Sequence, residues 1–317
     1  MQKNTRMNKS KLYRRIKMQK KSILVLVFLI VCLSISCQTL NLDVCVPKET
    51  AQGEFITVYF TANKPIEKPS VLMMSPDNKE VQKIDAFNID DTKKNWVAVI
   101  GIAKWYRAGD WTVSTVASHK EVLDKQSYSL KVSPTEFEEY TIYLDARNAG
   151  IIRNTSAEKK EQTKRLNELL TKIDADAQRF SGKFIRPLVS ERITSTFGEK
   201  RTSKYPDGKT SGWTHWGIDF GTPIGTKVRA VGDGKIVMAE NRITTGGTLI
   251  IEHAPGVYSL YYHLSETLAK VGDIVKSGDI VALTGNSGIS TGPHLHWEMR
   301  INTIPVSPNF ISSKKLF

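Results

Sequence analysis

The sequence predicts a mainly β protein, with an N-terminal immunoglobulin-like β-sandwich and a C-terminal all-β domain joined by an amphipathic helix. Three observations indicate this fold class. Short segments before residue 135 alternate polar and apolar residues, apolar residues then recur at helical spacing, and the last third is dense in glycine-containing turns. A chain of 317 residues is long enough for two domains. We expect a basic, signal-like segment at 1–37, the β-sandwich at 38–135, a linker strand and long helix at 136–183, and the second β domain at 184–317.

The positive charge of the chain is concentrated at its N-terminus. The formal net charge is +13, and residues 1–21 carry nine Lys or Arg and no acid. The remainder therefore has a net charge of only +4, and it shows no basic stripe with interleaved aromatic side chains. This distribution argues against nucleic acid as a partner.

An apolar run follows the basic stretch. Ile23–Ile35 is thirteen residues long, which is short for a membrane span but typical of the apolar part of a secretory signal. Ser36 precedes Cys37 as in a bacterial lipoprotein cleavage box, although Ser34 replaces the usual aliphatic residue. We expect export to the cell envelope, either to the periplasm or as a membrane-anchored lipoprotein, and we favour a lipoprotein over a plain signal peptide or an uncleaved anchor helix. Translation from Met18 would give a signal of ordinary length, so both start sites remain open.

The predicted sandwich contains several short strands separated by turn signals. Several short alternating strands over about 95 residues favour an antiparallel sandwich. Trp96, Trp105 and Trp111 would suit a carbohydrate platform, but aromatic residues of a small sandwich are more often core, so we expect a spacer or docking module. If Cys37 is lipidated, Cys45 has no disulfide partner in the mature chain. The alternating segments are 53–61, 96–102, 109–116 and 128–132.

The linker begins with an alternating, strand-like segment at 140–144. Thr155 and Glu158 then form a capping-box pattern, which predicts the start of a helix. The apolar spacing predicts an amphipathic helix over about 156–180, acting as an inter-domain strut or, alternatively, regulating access to a neighbouring groove. The residues of the apolar stripe are Leu166, Leu169, Leu170, Ile173 and Ala177.

The last third of the chain is rich in strands and poor in helices. Glycine-containing turn signals such as Asp233-Gly234 and Gly278-Asp279 separate short segments, which predicts an all-β domain. The expected strands lie near 226–231, 234–240, 247–253, 257–263, 279–284 and 294–300.

Four of the six histidines lie in three short motifs of this domain, 214–220, 261–264 and 292–298, beside an aspartate, and they form the main candidate site. Alternation along a strand places His294 and His296 on one face, and also His215 and Asp219 if their segment is extended. A catalytic zinc ion takes three protein ligands and leaves a fourth position for water. The four histidines are His215, His263, His294 and His296, and two of them with the aspartate would supply the ligands, which leaves two histidines for acid–base work. His119 and His253, outside these motifs, are expected to be structural.

Three longer motifs resemble the lysostaphin-type zinc endopeptidases, which cut the peptide part of bacterial peptidoglycan. They are Gly217–Thr226, Ala230–Val237 and Gly285–His294, and the resemblance covers roughly residues 184–317. It implies a zinc peptidase domain with a compact antiparallel fold and a groove across a sheet. Segments 199–214 and 285–293 would form the groove walls, the first as a polar and mobile loop.

The resemblance also implies roles for the five site residues. One Zn²⁺ would be held by His215, Asp219 and His296, with water in the open position, where the metal lowers the pKa of the water toward about 7. His263 and His294 would accept the proton or stabilise the oxyanion, and which histidine performs which step stays open. Glu298 falls on the same strand face and is expected to support a ligand histidine.

The function expected from this site is zinc-dependent hydrolysis of peptidoglycan peptides. One alternative is a non-catalytic, wall-binding activator of another hydrolase, and another is an adhesin or structural lipoprotein that works through its sandwich. Family members that lack activity lose metal ligands, whereas the ligand set here is complete, which favours the enzyme. The bond that is cut, either a glycyl-glycine bridge or a D-amino-acid cross-link, and the oligomeric state are left open.

Overall fold

Strands form most of the regular structure in the computed structural model of this protein, which describes residues 40–119, 122–174, 177–189, 192–313 and 315–317. The mainly β class predicted from the sequence is therefore confirmed. The predicted signal, with Cys37 and the alternative start at Met18, lies outside the described residues. Within the described ranges, no helix has both the length and the apolar character that crossing a membrane requires.

The N-terminal part is a sandwich of two sheets. Alternation selects its core, since Val58 and Phe60 are buried whereas Tyr59 between them is exposed. The strands are β1 Leu42–Cys45, β2 Glu49–Ala51, β3 Phe55–Ala62, β4 Glu67–Met74, β5 Glu80–Asp85, β6 Phe87–Asn88, β7 Asn95–Gly101, β8 Gly109–His119 and β9 Val122–Ser133. One sheet has the order β1-β3-β7-β6 and the other β2-β9-β8-β4-β5. The sheets are antiparallel as predicted except for β2, which pairs parallel with β9.

The tryptophans of the sandwich do not share one environment. Trp111 is buried and stacks on Tyr106, as expected of a core residue. Trp105 is 58% exposed, so the expectation that all three tryptophans belong to the core is wrong for this residue. Cys45 is an exposed free thiol.

The linker contributes one strand and two helices, and its strand joins the second domain rather than the sandwich. The elements are β10 Glu139–Tyr143, α1 Ala146–Arg153 and α2 Ala157–Thr171. Helix α1 was not predicted, and its N-cap is Asp145, whose carboxylate accepts from the backbone N–H of Asn148 at 2.7 Å.

Helix α2 is shorter than predicted. Its N-cap is Ser156 rather than Thr155, and the helix ends at Thr171 rather than near 180. The hydroxyl of Tyr258 donates to the carbonyl of Lys172 at 2.7 Å, which satisfies a group that the end of a helix leaves without a partner. The leucine stripe packs on the outer face of the second domain, where Leu166, Leu169 and Leu170 contact Met238, Ile250, Tyr258, Leu260 and Tyr262.

The second domain is built on a sheet of ten strands among the described residues. Its elements are β11 Ile193–Ser195, β14 Gly217–Gly221, β15 Lys227–Arg229, β16 Gly234–Arg242, β17 Gly246–Ala254, β18 Val257–Thr267, β19 Ile274–Val275, β20 Ile280–Thr284, β21 His294–Ile301 and β22 Ile304–Val306, followed by α3 Pro308–Ser313. The main path runs β11-β14-β21-β18-β17-β16-β19. All six strands expected from the turn signals are present, most with shifted ends.

Segment 199–214 is a β-hairpin rather than the mobile loop expected from its polar composition. Its strands are β12 Lys200–Lys204 and β13 Thr210–Thr214, and β10 adds to the hairpin in parallel with β12. Arg201 and Ser203 are buried, whereas the residues on either side of each are exposed. Side chains therefore alternate between buried and exposed positions as in a strand, but the buried ones are polar. Gly208, with φ +80°, allows the tight turn at the tip.

The C-terminal residues pack against the sandwich. Phe310 and Phe317 make edge-to-face contacts with Phe55 and Phe87, at centroid distances of 5.4 and 5.5 Å. The hydroxyl of Thr57 also donates to the Leu316 carbonyl at 2.7 Å. One apolar cluster therefore continues from the sandwich into the second domain.

His253 supports the fold of this domain, as expected, and its burial predicts a pH-dependent stability. Nδ1 donates to the Asp233 carbonyl at 2.8 Å, and Nε2 lies 2.7 Å from the Ser259 hydroxyl. Burial lowers the pKa of His253 to about 4. The unfolded chain, with a histidine pKa of about 6.5, therefore takes up a proton first as the pH falls.

We predict that acid removes this stabilisation between about pH 6.5 and pH 4. From pH 7 to pH 4 the wild-type free energy of unfolding should fall by about 3 kcal/mol more than that of His253→Gln. Urea unfolding of both proteins across this range measures the difference. Parallel curves would contradict the prediction.

Candidate metal centre

Two neighbouring strands hold three of the five predicted site residues, namely Asp219, His294 and His296. β14 pairs antiparallel with β21, and the register places Asp219 directly opposite His296. A Cβ added at Gly217 would come within 2.4 Å of the Trp297 carbonyl oxygen and 2.7 Å of His296 Nε2. Glycine at position 217 therefore leaves the space that the His296 ring occupies.

His215 reaches the same point from the irregular connection between β13 and β14. The segment is not one continuous strand, because β13 ends one residue before His215 and β14 begins two residues after it. Nδ1 of His215 donates to the Thr196 carbonyl at 2.7 Å. Nε2 is left 2.9 Å from Asp219 Oδ1 and 2.9 Å from His296 Nδ1.

The three facing atoms form a set of donors suited to a cation. His296 Nδ1 lies 2.8 Å from Asp219 Oδ1, which completes a triangle with His215 Nε2. Burial lowers the pKa of His215, whose one proton is held on Nδ1, so its Nε2 is an acceptor. Burial also opposes charge on His296, but the nearby carboxylates of Asp219 and Glu298 raise the pKa of His296 to about 9, so its Nδ1 carries a proton.

That single proton does not satisfy every contact in the triangle. The lone pairs of His215 Nε2 and Asp219 Oδ1 still face each other at 2.9 Å. A divalent cation among the three atoms would relieve this repulsion and replace the His296 proton. Two imidazole nitrogens and one carboxylate oxygen, all from buried residues, are a donor set that zinc accepts.

The two remaining histidines lie beside this triangle. The ring centroids of His263 and His294 are 4.6 Å apart, and those of His263 and His296 are 6.2 Å apart. His294 Nε2 is 3.8 Å from Asp219 Oδ1. His263 has φ +61°, a conformation that is uncommon outside glycine and is often found at functional sites. The structure thus brings all five predicted residues together.

Loop 285–293 sets the tautomer of both histidines. Nδ1 of His263 donates to the Ser287 carbonyl at 2.8 Å, and Nδ1 of His294 donates to the Gly292 carbonyl at 2.8 Å. The Ser290 hydroxyl lies 3.1 Å from the same His294 nitrogen. Because Nδ1 carries the proton in each neutral ring, each Nε2 keeps a lone pair. Burial and the neighbouring histidines lower the pKa of His263 to about 3, which keeps it neutral.

Glu298 and Tyr262 support His296 from behind. The Tyr262 ring stacks on His296 with centroids 5.3 Å apart and an interplanar angle of 5°. Glu298 Oε2 lies 3.9 Å from His296 Nε2, an ion-pair distance rather than a hydrogen bond, and its other oxygen pairs with Arg300 at 2.6 Å. Glu298 is therefore on the expected face and beside the expected histidine.

Sequence reasoning missed a buried ion pair beside Asp219. Arg201 Nη2 lies 3.3 Å from Asp219 Oδ2 and 2.8 Å from Glu199 Oε2. The other Glu199 oxygen accepts from the backbone N–H of Thr196, the residue whose carbonyl orients His215. Alternate residues of the hairpin face inward, and this alternation could have identified Arg201. The polar composition of the segment obscured the pattern.

The sixth histidine lies apart from this site. His119 is in the sandwich, where its Nδ1 donates to the Pro65 carbonyl at 2.6 Å. That contact fits the structural role expected from the sequence.

Comparison with known proteins identifies the domain that carries the site. The family model described as peptidase family M23 matches residues 213–308, which include all five site residues. Residues 213–308 form a domain of peptidase family M23. The match excludes Thr196, Glu199 and Arg201, and it also excludes the sandwich and the linker.

Two curated relatives match less than half of this chain. The DD-carboxypeptidase/endopeptidase Mpg of Neisseria meningitidis serogroup B is 43% identical over 132 residues, which are 41% of this chain and 29% of that protein. The peptidoglycan DD-endopeptidase ShyB of Vibrio cholerae is 42% identical over 116 residues, or 36% of this chain and 26% of that protein. The chain thus spans less than a third of the length of either relative.

A solved structure of similar fold covers both domains. A Pseudomonas aeruginosa protein assigned to peptidase M23 superposes with a TM-score of 0.57 over 84% of this chain and 96% of its own, at 18% sequence identity. At this identity the likeness concerns the fold alone.

We predict that the site binds one divalent metal ion through His215, Asp219 and His296. Replacing any of the three by alanine removes one of three donors, so metal should be lost on dialysis. His263→Ala and His294→Ala should retain it, because neither change removes an atom of the triangle formed by His215 Nε2, Asp219 Oδ1 and His296 Nδ1. Inductively coupled plasma mass spectrometry measures the stoichiometry, and retention of metal by a ligand variant would contradict the assignment.

We predict that Arg201→Met destabilises the fold strongly. It leaves the buried Glu199 carboxylate without its cation, which typically costs about 3–5 kcal/mol. Urea unfolding at neutral pH measures the loss. The matched control is Glu199→Gln combined with Arg201→Met, which removes both charges and should recover part of the stability. A single variant as stable as wild type would show that the pair is unimportant.

Proposed function

We propose that this chain is a zinc-dependent endopeptidase that hydrolyses peptide cross-links or stem peptides of bacterial peptidoglycan. The observation that carries the proposal is the convergence of three metal-ligand atoms and two histidines with available Nε2 atoms at one buried point. A wall-binding activator without activity would have no use for this complete set, so hydrolysis is the favoured function.

The proposed roles follow from the geometry of the site. His215, Asp219 and His296 would hold one zinc ion. Zinc supplies an acidified water and polarises the scissile carbonyl. His263 and His294 have Nε2 atoms that are not used by loop 285–293, and through them they would accept a proton from the attacking water and donate one to the leaving amine.

The relatives support peptidoglycan as the substrate class. ShyB is named as a peptidoglycan DD-endopeptidase and Mpg as a DD-carboxypeptidase/endopeptidase. A peptidoglycan substrate also requires that the chain act in the cell envelope, which agrees with the export signal and lipid anchor proposed for its N-terminal segment.

Exposed aromatic side chains line the approach to the ligands. Trp213 of the hairpin is 43% exposed, and Trp105 of the sandwich packs edge-to-face on Trp216, next to His215, with centroids 5.6 Å apart. The sandwich therefore reaches the edge of the proposed groove, which supports a docking role for this domain in addition to that of a spacer.

We predict that His294→Ala retains zinc but lowers peptidoglycan cleavage by at least about 100-fold, because proton transfer loses a participant. His296→Ala should lose both zinc and cleavage, whereas His119→Ala, in the sandwich, should keep both. Release of soluble peptides from purified peptidoglycan measures the activity.

Cleavage by His296→Ala, or wild-type cleavage that survives strong chelation, would overturn the zinc mechanism. A biological phenotype that His296→Ala retains in full would instead indicate an activator or adhesin. Digestion of defined cross-linked and glycine-bridged muropeptides, with the new termini read by mass spectrometry, identifies the bond.

A further inference from the structure

We propose that Asn148, in the linker helix α1, is a positioning residue for His263 and His294. It fixes loop 285–293, and that loop holds both rings through their Nδ1 atoms. This inference rests on the proposed function, in which the two histidines transfer protons. It assigns a part of the catalytic apparatus to the linker, outside residues 213–308 that match the family.

The contact between Asn148 and the loop is buried and consists of two hydrogen bonds. Asn148 is 1% exposed. Its Nδ2 donates to the Ser290 carbonyl at 3.1 Å, and its Oδ1 accepts from the Ser290 N–H at 3.2 Å. The side-chain amide thus pairs with both polar groups of one loop residue, as an adjacent strand would. Asparagine is a poor helix former, so its buried position in a helix of eight residues indicates a specific contact.

The residue that Asn148 holds is also the residue that contacts His294. The Ser290 hydroxyl lies 3.1 Å from His294 Nδ1 and donates to the Gly292 carbonyl at 2.7 Å, the carbonyl that accepts from the same ring. A shift of Ser290 would therefore move both partners of the His294 Nδ1 proton.

His263 depends on the same loop. Its Nδ1 donates to the Ser287 carbonyl, and Arg147, which precedes Asn148 on α1, donates to the carbonyl of the next residue, Gly288, at 3.1 Å. Helix α1 therefore contacts the loop between the two points that hold the histidines. The loop is anchored independently through the Ile289 N–H, which donates to the Thr244 carbonyl at 2.9 Å. Loss of Asn148 should thus displace the loop without unfolding it.

The side chain of Asn148 bonds to Ser290 and not to the three metal ligands. Its loss should therefore affect turnover and not metal content. Small displacements of catalytic groups cost about 10²-fold in rate when they reach 1 Å. For Asn148→Ala in the full, zinc-loaded chain we expect kcat on a cross-linked muropeptide to fall roughly 10- to 100-fold, with KM and zinc stoichiometry unchanged. Asn148→Asp, which is nearly isosteric but lacks the donor to Ser290, should show a loss of the same kind.

The matched control is Ala149→Gly. Ala149 is the next residue on α1 and is also buried, so the change weakens the helix without removing a contact to the loop. It should keep kcat near the wild-type value. A fall in kcat equal to that of Asn148→Ala would show that loss of helix, and not loss of the amide, is responsible, which would overturn the proposal.

Two further measurements distinguish positioning from general destabilisation. Ser290→Ala removes the hydroxyl contact to His294, so the double variant with Asn148→Ala should be no slower than the slower single variant. Multiplicative losses would mean that the two residues act independently.

Long-range ¹H–¹⁵N spectra of the imidazoles should show altered His263 and His294 signals in Asn148→Ala, with His253 unchanged as an internal reference. Unchanged signals at all three would overturn the proposal.

The outcomes also separate this inference from the proposed function. An inactive wild-type protein would count against the function. Active wild type with unimpaired Asn148 variants would count against the positioning role alone. Increased activity in these variants would indicate that α1 restricts the site, which is the opposite of the role proposed.

Discussion

The site depends on the pairing of β14 with β21, which fixes Asp219 opposite His296. Because side chains alternate along a strand, a slip of one residue in this register would turn one of the two away from the other. Neighbouring strands make such a slip unfavourable, since β21 also pairs with β18 and its inward residues, such as Trp297, are fully buried. The position of the ligands is therefore maintained by the core of the domain and not by the site itself.

Strands position two of the metal ligands, whereas a loop orients the two histidines proposed to transfer protons. The two ligands on strands are held rigidly, and His215 joins them through a single carbonyl contact to Thr196. His263 and His294 are oriented by loop 285–293, whose own position depends on contacts from elsewhere in the chain. An arrangement of this kind suits a hydrolase, because a metal needs fixed donors whereas proton transfer needs small adjustments during the reaction.

The sequence predicted the strands of the second domain, and it marked five candidate site residues that the structure brings together, because the strand and motif signals are local. Alternation, glycine turns and His-x-His spacing can all be read within ten residues. Contacts between distant segments could not be read in this way. Arg201 lies 18 residues from Asp219, and Asn148 lies 142 residues from Ser290. The end of α2 was misplaced for a similar reason, since the hydroxyl that caps it belongs to Tyr258, 86 residues beyond Lys172.

The parallel pairing of β10 with β12 has a consequence for how the molecule acquires its activity. Lys200 and Glu139, which face each other across this pair, are 61 residues apart, and both linker helices lie in the intervening chain. Contacts of such long range form late in folding, because closing a long loop is entropically costly. The hairpin proposed as one wall of the groove is therefore extended by β10 only when the linker is already in place. The proposed metal site closes over a still longer separation, 77 residues between Asp219 and His296, so a partly folded chain would have neither the extended hairpin nor its assembled ligands. Its own unfolded segments would thus be protected from the proposed peptidase activity.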